Sequence, residues 1–296
     1  MAFAMFWNLG RLHKLDLSRR SVALFDSAFR TSKHLITPGV LLLRSISFTK
    51  ARYLQTSSQM TINVRRSNDR FHSDHGWLDS YHTFNFAGHY DHRFDGFRSL
   101  RVINEDRVDP GEGFPKHPHR DFEIFSYVLS GALEHKDSMG NVEVIPRGAV
   151  QFTSAGTGIT HSEYNHSKSE PCHFLQLWVQ PNVRGLKPSY ALKTFPDIEK
   201  RGVLRPIVTQ DGREGSIVVH NDVNTYASLL SANQTVSHSM KPVRYAYVHV
   251  ASNGGAISLN GTKLEPGDGA YVQGETSLSF QGLGPREAEF LLFDMA

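Results

Sequence analysis

From residue 61 onward, short runs of β-branched and aromatic residues alternate with clusters of Gly, Pro, Asn and Asp. Ile124 to Leu129, Val142 to Ile145, Val150 to Thr153, Phe174 to Val179, Ile217 to Val219, Tyr245 to Val250 and Phe290 to Phe293 each have the length and composition of a strand. No long segment shows the 3.6-residue period of an amphipathic helix. Asp197 to Arg201 is a single helical turn, with Gly202 at its exit. Short strands at this spacing predict an all-β sandwich or barrel fold. The first of them, Thr61-Ile62-Asn63-Val64, marks the start of the folded body.

The pattern repeats. Tyr127-Val128 and Tyr247-Val248 lie 120 positions apart, as do Pro146 and Pro266, and the turn Gly140-Asn141 falls opposite Asn260-Gly261. Three landmarks at one offset predict a duplicated β-domain. The expected organisation is a leader over 1–59, an N-terminal domain over 60–185 and a C-terminal domain over 186–296.

Charge separates the leader from the body. Residues 1–60 hold nine Lys/Arg against Asp16 and Asp26, a net +7, which leaves −4 for the rest of a chain whose total is +3. The basic balance therefore belongs to the leader, and direct nucleic-acid binding by the body is not expected. Arg-rich, Ser-rich and acid-poor, the leader has the composition of a mitochondrial transit peptide; translation from Met60 would instead leave the body in cytoplasm or nucleus. The longest apolar stretch, Leu35 to Leu43, is about half of what spans a bilayer, so no membrane span is expected. Cys172 is the single cysteine, which excludes an intrachain disulfide framework, and it precedes an apolar strand where burial is expected.

The candidate chemistry is a histidine cluster. On a strand, residues i and i+2 share a face, so His117-Pro118-His119 points two imidazoles one way. His161-Ser162-Glu163 points an imidazole and a carboxylate one way in the same domain. Three histidines and one carboxylate make an N₃O donor set for Fe, Ni, Cu, Co, Mn or Zn. Glu123, at i+4 from His119, competes for the place of the acidic ligand unless a bulge changes its parity. Adding 120 to the four positions gives Ser237, Ser239, Gln281 and Leu283, so the second copy carries no equivalent set and one metal per chain is expected. His72, His75, His82, His89 and His92 lack the i,i+2 pattern and are expected at the surface or rim. Phe114, Phe125 and Tyr127 are either an apolar wall for a flat aromatic substrate or barrel core.

These residues resemble the two cupin motifs. Gly111, His117, His119, Glu123 and Gly131 match the first, with the acid one residue earlier than the commonest spacing. Gly148, Gly156, His161 and Asn165 match the second, with Ser154 where many cupins have Pro. The stretches over 75–91, 100–124, 154–167 and 173–181 are similar more narrowly to the pirin family, and among pirins to the bacterial quercetinase-type proteins. The resemblance runs from about Met60 and weakens after residue 190. It implies a bicupin, two tandem jelly-roll β-barrels, with one mononuclear metal, most often iron, bound by His117, His119, His161 and Glu163. It also implies quercetin 2,3-dioxygenase activity on a flavonol and O₂ for some members. Glu163 would then be the general base that takes the substrate's 3-hydroxyl proton. Other members resemble iron-bearing, redox-responsive transcription cofactors that bind partner proteins.

Overall fold

The computed structural model describes residues 61–296, which are almost entirely β-structure; Asp197–Lys200 is the one α-helical turn among them. The leader over 1–59, and with it the expectation of mitochondrial import, lies outside the described residues. Among the described residues no helix is long and apolar enough to cross a membrane.

Two large sheets and two small ones build two sandwiches. In spatial order the N-terminal large sheet runs Ser189–Thr194, Ala149–Ser154, Glu123–Ser130, Cys172–Val179, Leu100–Val108, Leu78–His82, Phe71–Asp74. Its small sheet runs Gly113–His119, Ile159–Asn165, Ala132–Asp137, Val142–Pro146. The C-terminal large sheet runs Thr61–Arg65, Gly269–Gln273, Tyr245–Val250, Ala288–Met295, Val223–Leu230, Arg205–Thr209, Ile217–Val218. Its small sheet runs Thr235–Ser239, Ser277–Leu283, Ala256–Leu259, Thr262–Leu264. The two domains correspond strand for strand except at the last strand of each large sheet, where Phe71–Asp74 pairs antiparallel and Ile217–Val218 parallel, and Tyr127 and Tyr247 stand on equivalent strands. This is the all-β, duplicated two-domain cupin that the strand pattern and the resemblance predict.

Two edge strands depart from the expected boundaries. Thr61–Arg65, expected to open the N-terminal domain, pairs antiparallel with Gly269–Gln273 in the C-terminal sheet. Ser189–Thr194, expected in the C-terminal domain, pairs with Ala149–Ser154 in the N-terminal one. An unpaired sheet edge exposes a row of N–H and C=O groups, and each large sheet covers that edge with the strand the chain can bring there. Sequence order therefore misplaces both strands, and each domain is completed by residues beyond 60–185 or 186–296.

The repeat offset also slips. His117 pairs with His161 across the N-terminal small sheet, while Ser237 pairs with Ser279 across the C-terminal one. The offset is 120 on the first strand and 118 on the second, so Ser237, Ser239, Ser279 and Gln281 stand at the ligand places, not Leu283.

The largest apolar cluster lies where the two large sheets face each other. It joins Phe125, Tyr127, Val150, Phe152, Leu175 and Leu177 to Val208, Ala227, Tyr247, Leu291 and Phe293. Each Val, Leu or Phe among them contributes about 1.5–3 kcal/mol on full burial, which binds the domains into one unit. Phe125 and Tyr127 thus belong to this core, not to a substrate wall: alternation along Glu123–Ser130 turns them away from the N-terminal barrel. Tyr127 Oη donates to Glu289 Oε1 at 2.6 Å and accepts from the buried Lys200 Nζ at 2.9 Å, a further tie across the joint. Phe114 packs inside the N-terminal sandwich with Trp77, Val108, Val128 and Phe174. Cys172 is buried there, and burial pushes its thiol up to about 12. Of the five rim histidines, His82 is the exception. It is buried against Asn104 Oδ1 at 2.9 Å, and burial lowers it to about 4.

Candidate metal centre

The site lies between the small sheet and the large sheet of the N-terminal sandwich. Ile159–Asn165 alternates strictly, with His161 and Glu163 turned inward and buried. Its neighbour Gly113–His119 does not alternate. The register steps from His161↔His117 to Glu163↔Phe114, which inserts one extra residue on the histidine strand. This bulge falls at Pro115 and Lys116, and proline, which has no N–H to give the ladder, is tolerated there. It lets Phe114, His117 and His119 all face inward. It also presents the Pro115 carbonyl to His117 Nδ1 at 2.8 Å. A carbonyl only accepts, so Nδ1 carries the proton and Nε2 keeps its lone pair. Gly113 is needed for closeness: a Cβ there would stand 2.3 Å from the Glu163 carbonyl oxygen and 2.5 Å from Tyr164 Cα.

The three imidazoles converge, with ligand nitrogens all within 4.8 Å of one another. His161 Nε2 lies 3.0 Å from His117 Nε2. Two nitrogens bound to one ion at about 2.1 Å and at right angles would sit about 3 Å apart. Burial lowers His119 to about 2, assisted by His161 and His117, and lowers His161 to about 2, assisted by His117 and His135. His119 and His161 therefore resist protons, and neutral imidazole lone pairs are what a divalent cation requires. The donor set fits such an ion.

Glu163 stands slightly apart. Its Oε2 is 4.0 Å from His161 Nε2. Ser126 Oγ donates to Oε1 at 3.1 Å, and Gln176 Nε2 donates to Oε2 at 2.8 Å. These donors come from adjacent strands of the large sheet, where Ser126 and Gln176 are direct neighbours. Glu123 is not in the site. Asp121 takes a positive φ of 55° at the corner between the small and large sheets, so parity does not carry from His119 to Glu123. Glu123 instead faces the C-terminal domain, accepting from the His220 N–H at 2.8 Å and meeting His220 Nδ1 at 2.6 Å.

Sequence reasoning missed several contributors. Ser126 and Gln176 are polar residues within apolar strands at inward parity, a signal visible in the sequence but not used. His135 sits directly across from Glu163, buried, with Asp137 Oδ2 at 3.1 Å from its Nε2 and Tyr190 stacked on its ring. With His161 and Glu163 it forms a second, overlapping group of possible ligands. Trp178 meets the His119 ring edge-on at 4.9 Å and also contacts Phe122 and Phe86, giving the site one aromatic side.

Comparison with known proteins agrees with this architecture. The Pirin family model matches residues 63–179, and the model for the quercetinase C-terminal cupin domain matches residues 206–295. Quercetin 2,3-dioxygenase of Escherichia coli K12 is 43% identical over 235 residues, covering 79% of this chain and 98% of that protein. A pirin-like protein of Caulobacter vibrioides is 35% identical over 225 residues, covering 76% and 95%. The crystal structure of YhhW from Escherichia coli superposes with a TM-score of 0.75 at 41% identity, covering 80% of this chain and 98% of that one. The nickel(II) complex of that bacterial pirin gives 0.74 at 41% identity, covering 79% and 99%. With both domains matched and the inward histidine set in the first, the chain belongs to the pirin family.

Proposed function

We propose that the protein is a metal-dependent dioxygenase of quercetin 2,3-dioxygenase type, opening the central ring of a flavonol-like substrate with O₂ and releasing carbon monoxide. The observation that carries this reading is the pairing of three converging imidazoles with a buried carboxylate that two donors hold beside them. His117, His119, His161 and Glu163 would hold one divalent ion. We take Fe(II) as the working ion, although the solved relative is a nickel(II) complex and an N₃O set accepts either. When bound, the ion would supply Lewis acidity toward a substrate hydroxyl and a centre for oxygen chemistry.

The chain's own residues do the remaining work. Glu163 takes the proton of the substrate's 3-hydroxyl, and Ser126 and Gln176 keep its two oxygens aimed. Trp178, with Phe122 and Phe86 packed against it, provides an apolar aromatic side for a substrate ring system and excludes water. Glu163→Gln preserves shape while removing the base. We expect it to keep its metal while turnover falls by a factor of about 100 or more. Full turnover in that variant would refute the assignment. We also propose that residues 1–59 direct mitochondrial import; a fusion of this segment that stays in the cytosol would refute that.

A further inference from the structure

The strand Ala132–Asp137 brings a fourth histidine to the metal centre. His135 stands opposite Glu163 on the neighbouring strand, and Asp137 stands opposite His161. His135 is 0% exposed and His161 and Glu163 are each 1% exposed, whereas His117 and His119 are half-buried. The His135 and His161 rings meet edge-on with centroids 5.2 Å apart. One donor atom from each of His135, His161 and Glu163 lies within 4.8 Å of the other two.

The surroundings of His135 are those of a metal ligand. Its Nε2 lies 3.1 Å from Asp137 Oδ2. A carboxylate accepts, so Nε2 carries the ring proton and Nδ1 keeps a lone pair. Asp137 is itself held, accepting from the Met139 N–H at 2.8 Å, the Asn141 N–H at 3.1 Å and Asn141 Nδ2 at 2.8 Å. Tyr190 stacks on the imidazole with centroids 5.1 Å apart, which fixes the ring plane. A carboxylate behind an imidazole is the usual support of a metal-bound histidine. Yet His135 Nδ1 is buried with no hydrogen-bond partner among the described residues. His161 Nδ1 has none either, so the two nitrogens do not bond to each other. A buried lone pair left in this state requires a partner.

The groups that converge on it select that partner. Glu163 offers carboxylate oxygens, and His161, with its proton on Nδ1, offers Nε2. With His135 Nδ1 they make an N₂O set of acceptors. A water molecule has two protons to give and leaves one of the three unmet, whereas a divalent cation satisfies all three. His161 Nε2 and Glu163 Oε2 are 4.0 Å apart. Two donors each about 2.1 Å from one ion lie about 3–4.2 Å apart, so this pair already spans one.

We propose that His135, His161 and Glu163 form a second, inner seat for a divalent ion of the Fe, Co, Ni or Zn class, taken in place of the seat that includes His117 and His119. Both seats use the His161 and Glu163 side chains, so the chain still holds one ion at a time. With two nitrogens in place of three, the inner seat is the weaker one, and its burial shields the ion from solvent. It presupposes the metal binding proposed above and is independent of the dioxygenase chemistry.

The test uses the full chain carrying His117→Ala and His119→Ala together, stripped with a chelator and titrated with Co(II) by calorimetry and visible absorption. These changes empty the protein of metal as purified, so the added Co(II) reads the inner seat. We expect one Co(II) per chain, bound about 10-fold or more weakly than by wild type, and a further loss of about 10-fold or more when His135→Phe is added. An anomalous map of the double variant soaked in Co(II) should place the ion about 2.1 Å from His135 Nδ1. No Co(II) binding by the double variant, equal affinity with and without His135, or an ion that does not touch His135 overturns the proposal. If the triple variant does not fold, the anomalous map decides alone. Co(II) bound to His135 in the double variant, with no quercetin turnover by wild type, supports the inner seat while refuting the dioxygenase.

Discussion

Replacing Gln176 with leucine removes one donor from the Glu163 carboxylate while keeping an apolar group of similar size in its place. Gln176 Nε2 donates to Oε2 at 2.8 Å, and Glu163 is 1% exposed, so water does not readily substitute. A hydrogen bond to a buried charged group is worth about 1.5–3 kcal/mol. If that bond holds the base in its working orientation, its full loss in the transition state lowers kcat by about 10- to 100-fold. The same bond contributes to the resting fold, and a loss of about 2 kcal/mol lowers Tm by about 4–8 °C for a body of this size. The three histidines are untouched, so metal content should stay at the wild-type level. The assay is oxygen uptake with quercetin on protein whose metal has been quantified. A Gln176→Leu variant with full metal and kcat within twofold of wild type would refute the view that this contact positions a working Glu163. Ser126→Ala tests the other oxygen, and the double variant should be non-additive because both donors hold one carboxylate.

Two further outcomes follow from the geometry. Gly113→Ala drives a methyl into the backbone at Glu163 and Tyr164, and should cost about 1–3 kcal/mol and lower metal content by spreading the two ligand strands; wild-type metal affinity would contradict the close-approach argument. In the metal-free protein, His161 and His82 have folded pKa values of about 2 and about 4 against 6.5 when unfolded. The unfolded state therefore binds more protons below pH 6.5. Each histidine removes up to about 1.4 kcal/mol of stability per pH unit as pH falls through that range, His82 until about pH 4. Asp106, raised to about 7 by burial, acts in the opposite sense, so the comparison is with variants rather than absolute. Urea unfolding at pH 7 and pH 5 should show a smaller loss in His82→Asn than in wild type, and an equal loss would count against the buried neutral histidine.

What was legible in the chain was whatever local periodicity carries. The i,i+2 spacing of His117 with His119 and of His161 with Glu163 indicated the common inward faces that the strands show, and the offset between Tyr127 and Tyr247 disclosed the duplication. What was not legible depends on which sheet a strand joins. Phe125 and Tyr127 are as apolar as a substrate wall would be, yet their parity points them at the other domain. Glu123 shares formal parity with His119, but a corner at Asp121 lies between them. The edge strands Thr61–Arg65 and Ser189–Thr194 satisfy distant sheets, a long-range choice that no local pattern records. The slip from 120 to 118 beyond Pro266 likewise emerges only from the pairing of Ser237 with Ser279. Ser126 and Gln176 could have been found, because a hydroxyl or amide at inward parity in an apolar strand needs a partner.

The account stands most directly on one measurement: metal stoichiometry and headspace carbon monoxide from the same anaerobically purified sample, after quercetin and O₂ are added. The account predicts one divalent ion per chain and one carbon monoxide released per O₂ consumed, with both the metal and the gas lost in His119→Ala. One ion per chain, held by the same histidines, with no carbon monoxide and no oxygen uptake would contradict the proposed dioxygenase.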